Sequence, residues 1–229
     1  MRRWAWVALV LAGCSDIAGT KGGVVALDVV LPAPAAIETN DTLTLTARAF
    51  DGNGNLVNDA VIVWATPDTA FTLDSLTGKA STTLAAGSLR VQAHTGSLFS
   101  DLALLEVHRR SDTLRLTDSV SLTVPTTDSA SGALVAAVQS LTPDTAGITN
   151  TRILFEVVDT AAARGKVHFA GNVLALRVAT GGDGKPAAPV SLRRGSGSAG
   201  LTVQVRVSAT RPSGAVVPGS GQLLSVNFQ

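Results

Sequence analysis

Thr42-Leu43-Thr44-Leu45-Thr46-Ala47-Arg48-Ala49-Phe50 decides the fold, because its apolar and polar residues alternate without a break. Successive side chains of a strand point to opposite faces, so Leu43, Leu45, Ala47 and Ala49 share one face and Thr42, Thr44, Thr46 and Arg48 the other. The same period returns where Leu89, Val91 and Ala93 alternate with Arg90, Gln92 and His94. It returns again where Leu201, Val203, Val205, Val207 and Ala209 alternate with Thr202, Gln204, Arg206 and Ser208. Clusters of Gly, Asn, Asp and Pro separate these short runs, as turns between strands require. Beyond the N-terminal segment the one helical candidate is Asp159-Thr160-Ala161-Ala162-Ala163-Arg164, too short to stand alone. The chain body therefore reads as all-β.

Working outward, the strand signals divide into two groups. The first module, residues 24–108, opens with an apolar run and a Pro32-Ala33-Pro34 bend. After the alternating strand comes the turn Asp51-Gly52-Asn53-Gly54-Asn55, then Ala60-Val61-Ile62-Val63-Trp64-Ala65. That compact apolar run is predicted to be a central strand buried on both faces, with Trp64 as a core anchor. Residues 99–107 supply a closing strand. The polar stretch His108-Arg109-Arg110-Ser111-Asp112 reads as a junction, and Arg109-Arg110, like Arg193-Arg194, as solvated loop. The second module, residues 113–229, offers strand candidates at 113–117, 119–124, 133–139, 152–158, 166–170, 173–179, 190–193, 201–209 and 223–228, with an excursion at 159–172. Many short strands with turns about every 8–12 residues predict two tandem immunoglobulin-like β-sandwiches.

The run from the alternating strand through the Asp51 turn and Trp64, with Leu73-Asp74-Ser75-Leu76-Thr77-Gly78-Lys79 and Ala86-Gly87-Ser88-Leu89-Arg90-Val91-Gln92-Ala93, resembles a bacterial immunoglobulin-like domain of group 2. Asn40-Asp41 stands where that family carries a glycine before the second strand. In the second module Thr180-Gly181-Gly182-Asp183-Gly184-Lys185 and Ala199-Gly200-Leu201-Thr202-Val203-Gln204-Val205 echo Thr77-Gly78-Lys79 and the stretch after Ala86. This module is similar to the invasin-type bacterial immunoglobulin-like domains. Both resemblances imply an extracytoplasmic building block of the kind found in adhesins, surface layers and multidomain envelope enzymes, and neither implies catalysis.

At the N-terminus, Met1-Arg2-Arg3 is a positive segment, residues 4–12 are apolar, and Gly13 precedes Cys14. That layout predicts a secretory signal peptide at 1–13. Its apolar stretch is well short of the roughly 20 residues that cross a bilayer core. Leu11-Ala12-Gly13-Cys14 resembles the lipobox of bacterial lipoproteins, which implies cleavage before Cys14, diacylglycerol on its thiol, and an acyl chain such as palmitate on the new amino group. Cys14 is the only cysteine, and lipidation consumes a thiol that would otherwise sit free in an oxidising compartment. Residues 14–23 then form a lipidated tether. Ser15 follows the cysteine, where by the same resemblance an aspartate would favour the inner membrane, so the expected location is the outer membrane, on its periplasmic face or at the cell surface.

Removing Arg2 and Arg3 from the 18 basic residues leaves 16 against 17 acidic ones, a formal balance of −1. No basic footprint remains to hold nucleic acid. His94, His108 and His168 are far apart and belong to no zinc motif, and no G-x-S-x-G elbow is present. Gly195-Ser196-Gly197-Ser198-Ala199-Gly200 satisfies G-x-G-x-x-G, but between two strands, where a dinucleotide site needs a following helix. Asp51, Asn53 and Asn55, with Asp59, follow the first half of a calcium loop, although Leu56 and Ile62 stand where that loop needs glycine and glutamate. A hairpin turn accounts for the same letters. No catalytic residue and no cofactor beyond the Cys14 lipid is expected.

These readings converge on a non-catalytic, lipid-anchored cell-envelope protein acting as a structural or adhesion-type binding module, its partner a protein or glycan. The alternative is a ligand-binding module, for instance for carbohydrate, or an accessory subunit of a periplasmic or outer-membrane complex. Tyr is absent, Trp4 and Trp6 fall in the signal peptide, and Trp64 is assigned to the core, so little aromatic surface remains for stacking on sugars.

Overall fold

The computed structural model describes residues 23–117 and 120–229. The predicted signal peptide, Cys14 and nearly all of the 14–23 tether lie outside the described residues. Ten strands precede residue 109: β1 (Val24–Val30), β2 (Ala36–Glu38), β3 (Thr42–Thr44), β4 (Thr46–Asp51), β5 (Val63–Ala65), β6 (Phe71–Leu73), β7 (Lys79–Thr82), β8 (Gly87–Thr95), β9 (Leu98–Phe99) and β10 (Ala103–His108). One layer of the first sandwich pairs β1 with β4, and β3 with β7 and then β6. β3 and β4 are one run interrupted at Leu45, whose N–H donates to the carbonyl of Gly78. The facing layer runs β2-β10-β8-β5, with β2 parallel to β10. β1, the β3–β4 run, β7 and β6 against β5, β8 and β10 is the immunoglobulin arrangement, and the Pro32-Ala33-Pro34 bend carries the chain from one layer to the other.

The alternation that decided the reading is realised as burial. Leu43, Leu45 and Ala49 are buried and Ala47 half-buried, whereas Thr42, Thr44, Thr46 and Arg48 are exposed. Leu43, Leu45 and Ala47 meet Leu89, Val91, Ala93, Leu105 and Val107 of the facing layer in one apolar cluster with Trp64. The run at residues 60–65 departs from expectation. Only Val63–Ala65 forms a strand, it lies at the edge of its sheet beside β8, and Val61 is 73% exposed. The run contributes Trp64, from a strand with one ladder neighbour, and the half-buried Ile62 to the core. The turn between β6 and β7 rests on that indole. Gly78 has φ +69°, and a Cβ at this position would lie 2.7 Å from Trp64 Nε1 and 2.8 Å from the Leu45 carbonyl oxygen.

The second sandwich comprises β11 (Thr113–Leu116), β12 (Ser121–Val124), β13 (Ala136–Ser140), β14 (Ala146–Gly147), β15 (Arg152–Val157), β16 (Val167–His168), β17 (Ala175–Ala179), β18 (Arg193–Arg194), β19 (Thr202–Thr210) and β20 (Gln222–Phe228). One layer runs β12-β20-β19-β15-β17, its parallel β12–β20 pair repeating the β2–β10 pair of the first sandwich. The other joins β11, β13 and β14, and through the bonds Ser131 N–H to Leu192 O and Leu134 N–H to Val190 O reaches the run that enters β18, itself paired with β16. Phe155, Phe169, Phe228, Ile153 and Leu192 fill the space between the layers. The helical candidate is one turn, α1 (Thr160–Ala163), whose first orphan amides are met by Asp159 accepting from Ala162 N–H at 3.0 Å.

The two internal landmarks fare differently. The stretches at 86–91 and 199–205 lead into β8 and β19, strands in equivalent places beside the last strand of each sandwich. The Thr77-Gly78-Lys79 turn joins β6 to β7, whereas Thr180 to Lys185 follows β17, a fifth strand that the corresponding layer of the first sandwich lacks. Those two glycine turns are not counterparts.

Candidate binding surface and the junction between the sandwiches

Each residue singled out for chemistry has a definite place. Asp51 Oδ1 accepts from the N–H groups of Asn53 and Asn55 at 2.9 and 2.8 Å, and Oδ2 accepts from Asn55 Nδ2 at 3.2 Å. These bonds hold its carboxyl below the usual carboxylate range. Gly54 takes φ +81°, so the turn is built by an aspartate bonding forward to its own loop. Asp59 is exposed and bonds to none of the three, leaving Asp51 the one carboxylate in the turn.

The histidines occupy three separate environments. The His94 ring lies 5.0 Å from that of Phe99, His108 Nε2 is 3.1 Å from Glu106 Oε2, and His168 sits in β16. Among the described residues no group of three or more His, Cys, Asp or Glu side chains is placed to hold a metal ion. Gly195 to Gly200 forms the loop between β18 and β19, with no helix following it.

Arg109-Arg110 lies in the expected surface loop, whereas Arg193-Arg194 forms β18. Arg109 is bonded to Asp144 at 2.5 Å and Arg110 Nε lies 3.7 Å from Asp112. Arg194 is a clamp: its guanidinium donates to the carbonyls of Asp128, Val124, Pro125 and Gln229 and lies 5.2 Å over the Phe228 ring. It ties the chain end to the sandwich, and no local pattern announces it.

The most consequential polar group is one that sequence reasoning passed over. Glu38, at the end of β2, is 2% exposed. Its Oε2 accepts from Ser111 N–H at 3.0 Å and its Oε1 from Ser111 Oγ at 2.5 Å. Arg211, beyond β19, places Nε 3.4 Å from Oε2 and donates through Nε and Nη2 to the Ser111 carbonyl at 3.1 and 2.8 Å. First sandwich, junction and second sandwich thus converge on one buried ion pair, flanked by Ser213 Oγ donating to Asp41 at 2.7 Å. Ser111 is fully buried, so the junction is an interface and not a flexible spacer.

Burial pushes the Glu38 carboxyl above its ordinary value of 4.5, against the opposing pull of Ser111 and Arg211. A folded-state pKa above the unfolded one means that the native state holds this proton more tightly, so its contribution to stability falls as pH rises through a window opening at 4.5. Asp51, Asp68 and Asp74 lie below their ordinary value of 3.8, the first two through Asn55 and Arg90 and the third through the amides of Thr77 and Leu76. Their stabilisation is present above 3.8 and lost as pH falls below it. Urea midpoints across a pH series are therefore expected to climb as pH descends toward 4.5 and then drop. In Glu38→Gln the climb disappears and the drop remains; a climb of equal size in the variant refutes the assignment.

No protein-family model matches this sequence, and no curated protein matches it. Solved structures do. The chain is similar to the Yersinia pseudotuberculosis adhesin InvE, with 21% identity and a TM-score of 0.39 over 91% of this chain and 61% of that one. It is similar to the Escherichia coli adhesin FdeC at 19% identity and a TM-score of 0.34, covering 87% of this chain and 63% of that one. The fibronectin(III)-like modules of Clostridium thermocellum CbhA align at 16% identity and a TM-score of 0.37, covering 88% and 93%. The chain thus spans about three fifths of the length of each of the two adhesin structures.

Proposed function

We propose that this chain is a non-catalytic, lipid-anchored cell-envelope protein in which sandwiches 24–108 and 113–229 act as one rigid structural or adhesion-type unit, held at the outer membrane through Cys14. The observation that carries the reading is the Glu38–Ser111–Arg211 junction. A flexible linker would let two sandwiches reorient, whereas three buried groups from both bodies and their connection fix one geometry, which is what a presenting stalk needs. The lipobox-like Leu11-Ala12-Gly13-Cys14 supports the anchor, and acyl chains at about 0.8 kcal/mol per buried methylene give durable attachment once more than one is present. Among the described residues no helix is long and apolar enough to cross a membrane, so lipid is the attachment this reading supplies. The resemblance of the first sandwich to group 2 bacterial immunoglobulin-like domains agrees with it. The partner is a protein or glycan met outside the cytoplasm.

The test is protease accessibility on intact and lysed cells, with palmitate labelling, for the native chain and Cys14→Ala. Labelled native protein digested on intact cells, with unlabelled Cys14→Ala released to the medium or retained inside, supports a surface-anchored module. Protection until lysis confines it within the envelope and removes the adhesion reading. A Cys14→Ala form unchanged in label, mass and location ends the lipid-anchor proposal.

A further inference from the structure

We infer that the outer face of the second sandwich, where it meets the first, is a binding site for carboxylate-bearing glycans, with Arg152 and Arg177 as its anchors. The two arginines come from neighbouring strands. In the β15–β17 ladder Arg152 stands opposite Ala179 and Leu154 opposite Arg177, so the arginines are diagonal neighbours on one face. Diagonal positions hold their Cβ atoms about 7–8 Å apart, within joint reach of one small anion. On the other side of β15, Arg152 and Leu154 are opposite Thr210 and Ser208 of β19, which brings two hydroxyls to the same hollow. Ala33, in the bend between β1 and β2, closes it from the first sandwich, and the half-buried Leu154 lies among its lining.

The case rests on what these groups lack. Among the described residues neither Arg152 nor Arg177 forms an ion pair, and neither Ser208 nor Thr210 makes a side-chain hydrogen bond, although five other arginines among these residues hold a carboxylate. The nearest acid along β15, Glu156, is engaged by Arg206 at 3.6 Å. Two unneutralised guanidinium groups side by side repel, and no carboxylate among the described residues offsets that repulsion. A carboxylate between them would, because the guanidinium fork matches its two oxygens. The adjacent hydroxyls supply the donors and acceptors that sugar hydroxyls need. The aromatic rings of this layer, Phe155 and Phe228, are buried, so neutral sugars find no stacking platform, and recognition through charge selects uronic-acid-type glycans.

This goes beyond the envelope reading and is tested apart from it, since the assay uses purified full-length chain and is indifferent to anchoring. Affinity electrophoresis through gels containing polygalacturonate, neutral dextran or polyglutamate compares the native chain with Arg152→Gln/Arg177→Gln. A charge-matched control, Arg115→Gln/Arg193→Gln, removes two exposed, unpaired arginines from the opposite layer. The native chain and the control should be retarded by polygalacturonate and not by dextran, and the Arg152/Arg177 variant at least tenfold more weakly with an unchanged thermal midpoint. No retardation of the native chain, or equal loss in both variants, overturns the proposal. Stronger retention by polyglutamate than by polygalacturonate also overturns it, and would make the site one for an acidic protein.

Discussion

Arg211→Met is expected to destabilise the chain by about 3–5 kcal/mol, because it leaves the Glu38 carboxyl buried without its counter-charge and the Ser111 carbonyl without its donors. Met keeps the length of the side chain, so the loss reports on charge and hydrogen bonding and not on a cavity. Its effect should extend beyond the midpoint. Trp64, the sole tryptophan among the described residues, reports the first sandwich, while far-ultraviolet circular dichroism reports both. In the native chain the two signals should change together in urea. In Arg211→Met they should separate, as the sandwiches lose the contact that makes them unfold as one. The paired variant Glu38→Met/Arg211→Met is expected to recover most of the lost stability, since replacing a whole buried ion pair by apolar groups is often neutral. If Arg211→Met leaves the midpoint and the coincidence of signals intact, the rigid junction and the function built on it fail together.

What the sequence revealed and what it concealed follow from the range of the interactions. Strand positions in 42–50 and 201–209 were legible because a period of two is local and each inward residue needs only a facing layer. The edge position of Val63–Ala65 was not, since an unbroken apolar run looks the same whether its outer side meets a strand or water. The echo of glycine turns misled for a related reason: Thr77 to Lys79 and Thr180 to Lys185 share letters that encode turns, and turns do not say which strands they join. The junction was hidden most completely. Glu38 and Ser111 are 73 residues apart, and Ser111 and Arg211 are 100 apart, so no window contains the triad. The Arg152–Arg177 pair was equally invisible, because adjacency in the sheet depends on register and leaves no mark on spacing.

Gly184→Ala should produce a large loss within the second sandwich, and the reason lies in how closely its loop approaches the core strand β13. Gly184 has φ +77°, and an added Cβ would lie 2.2 Å from the Val138 carbonyl oxygen and 2.9 Å from the Gly147 Cα. Both are backbone atoms, which cannot swing aside as a side-chain tip would. Val138 is fully buried, donates to the Gly184 carbonyl at 2.9 Å and accepts from Ile148 N–H at 3.0 Å, so any retreat of the loop breaks a bond at the centre of the sandwich. The left-handed backbone costs about 1–2 kcal/mol for a residue with a Cβ. Forcing the overlap costs about 1–3 kcal/mol more, for a total near 2–5 kcal/mol. Gly182→Ala, two residues away with open space around it, should stay within about 0.5 kcal/mol. With Arg211 in place the Gly184→Ala loss should reach the Trp64 signal through the junction. In the Arg211→Met background it should appear in circular dichroism alone, and a Trp64 midpoint that still follows Gly184→Ala there would mean that the sandwiches are coupled through some other contact.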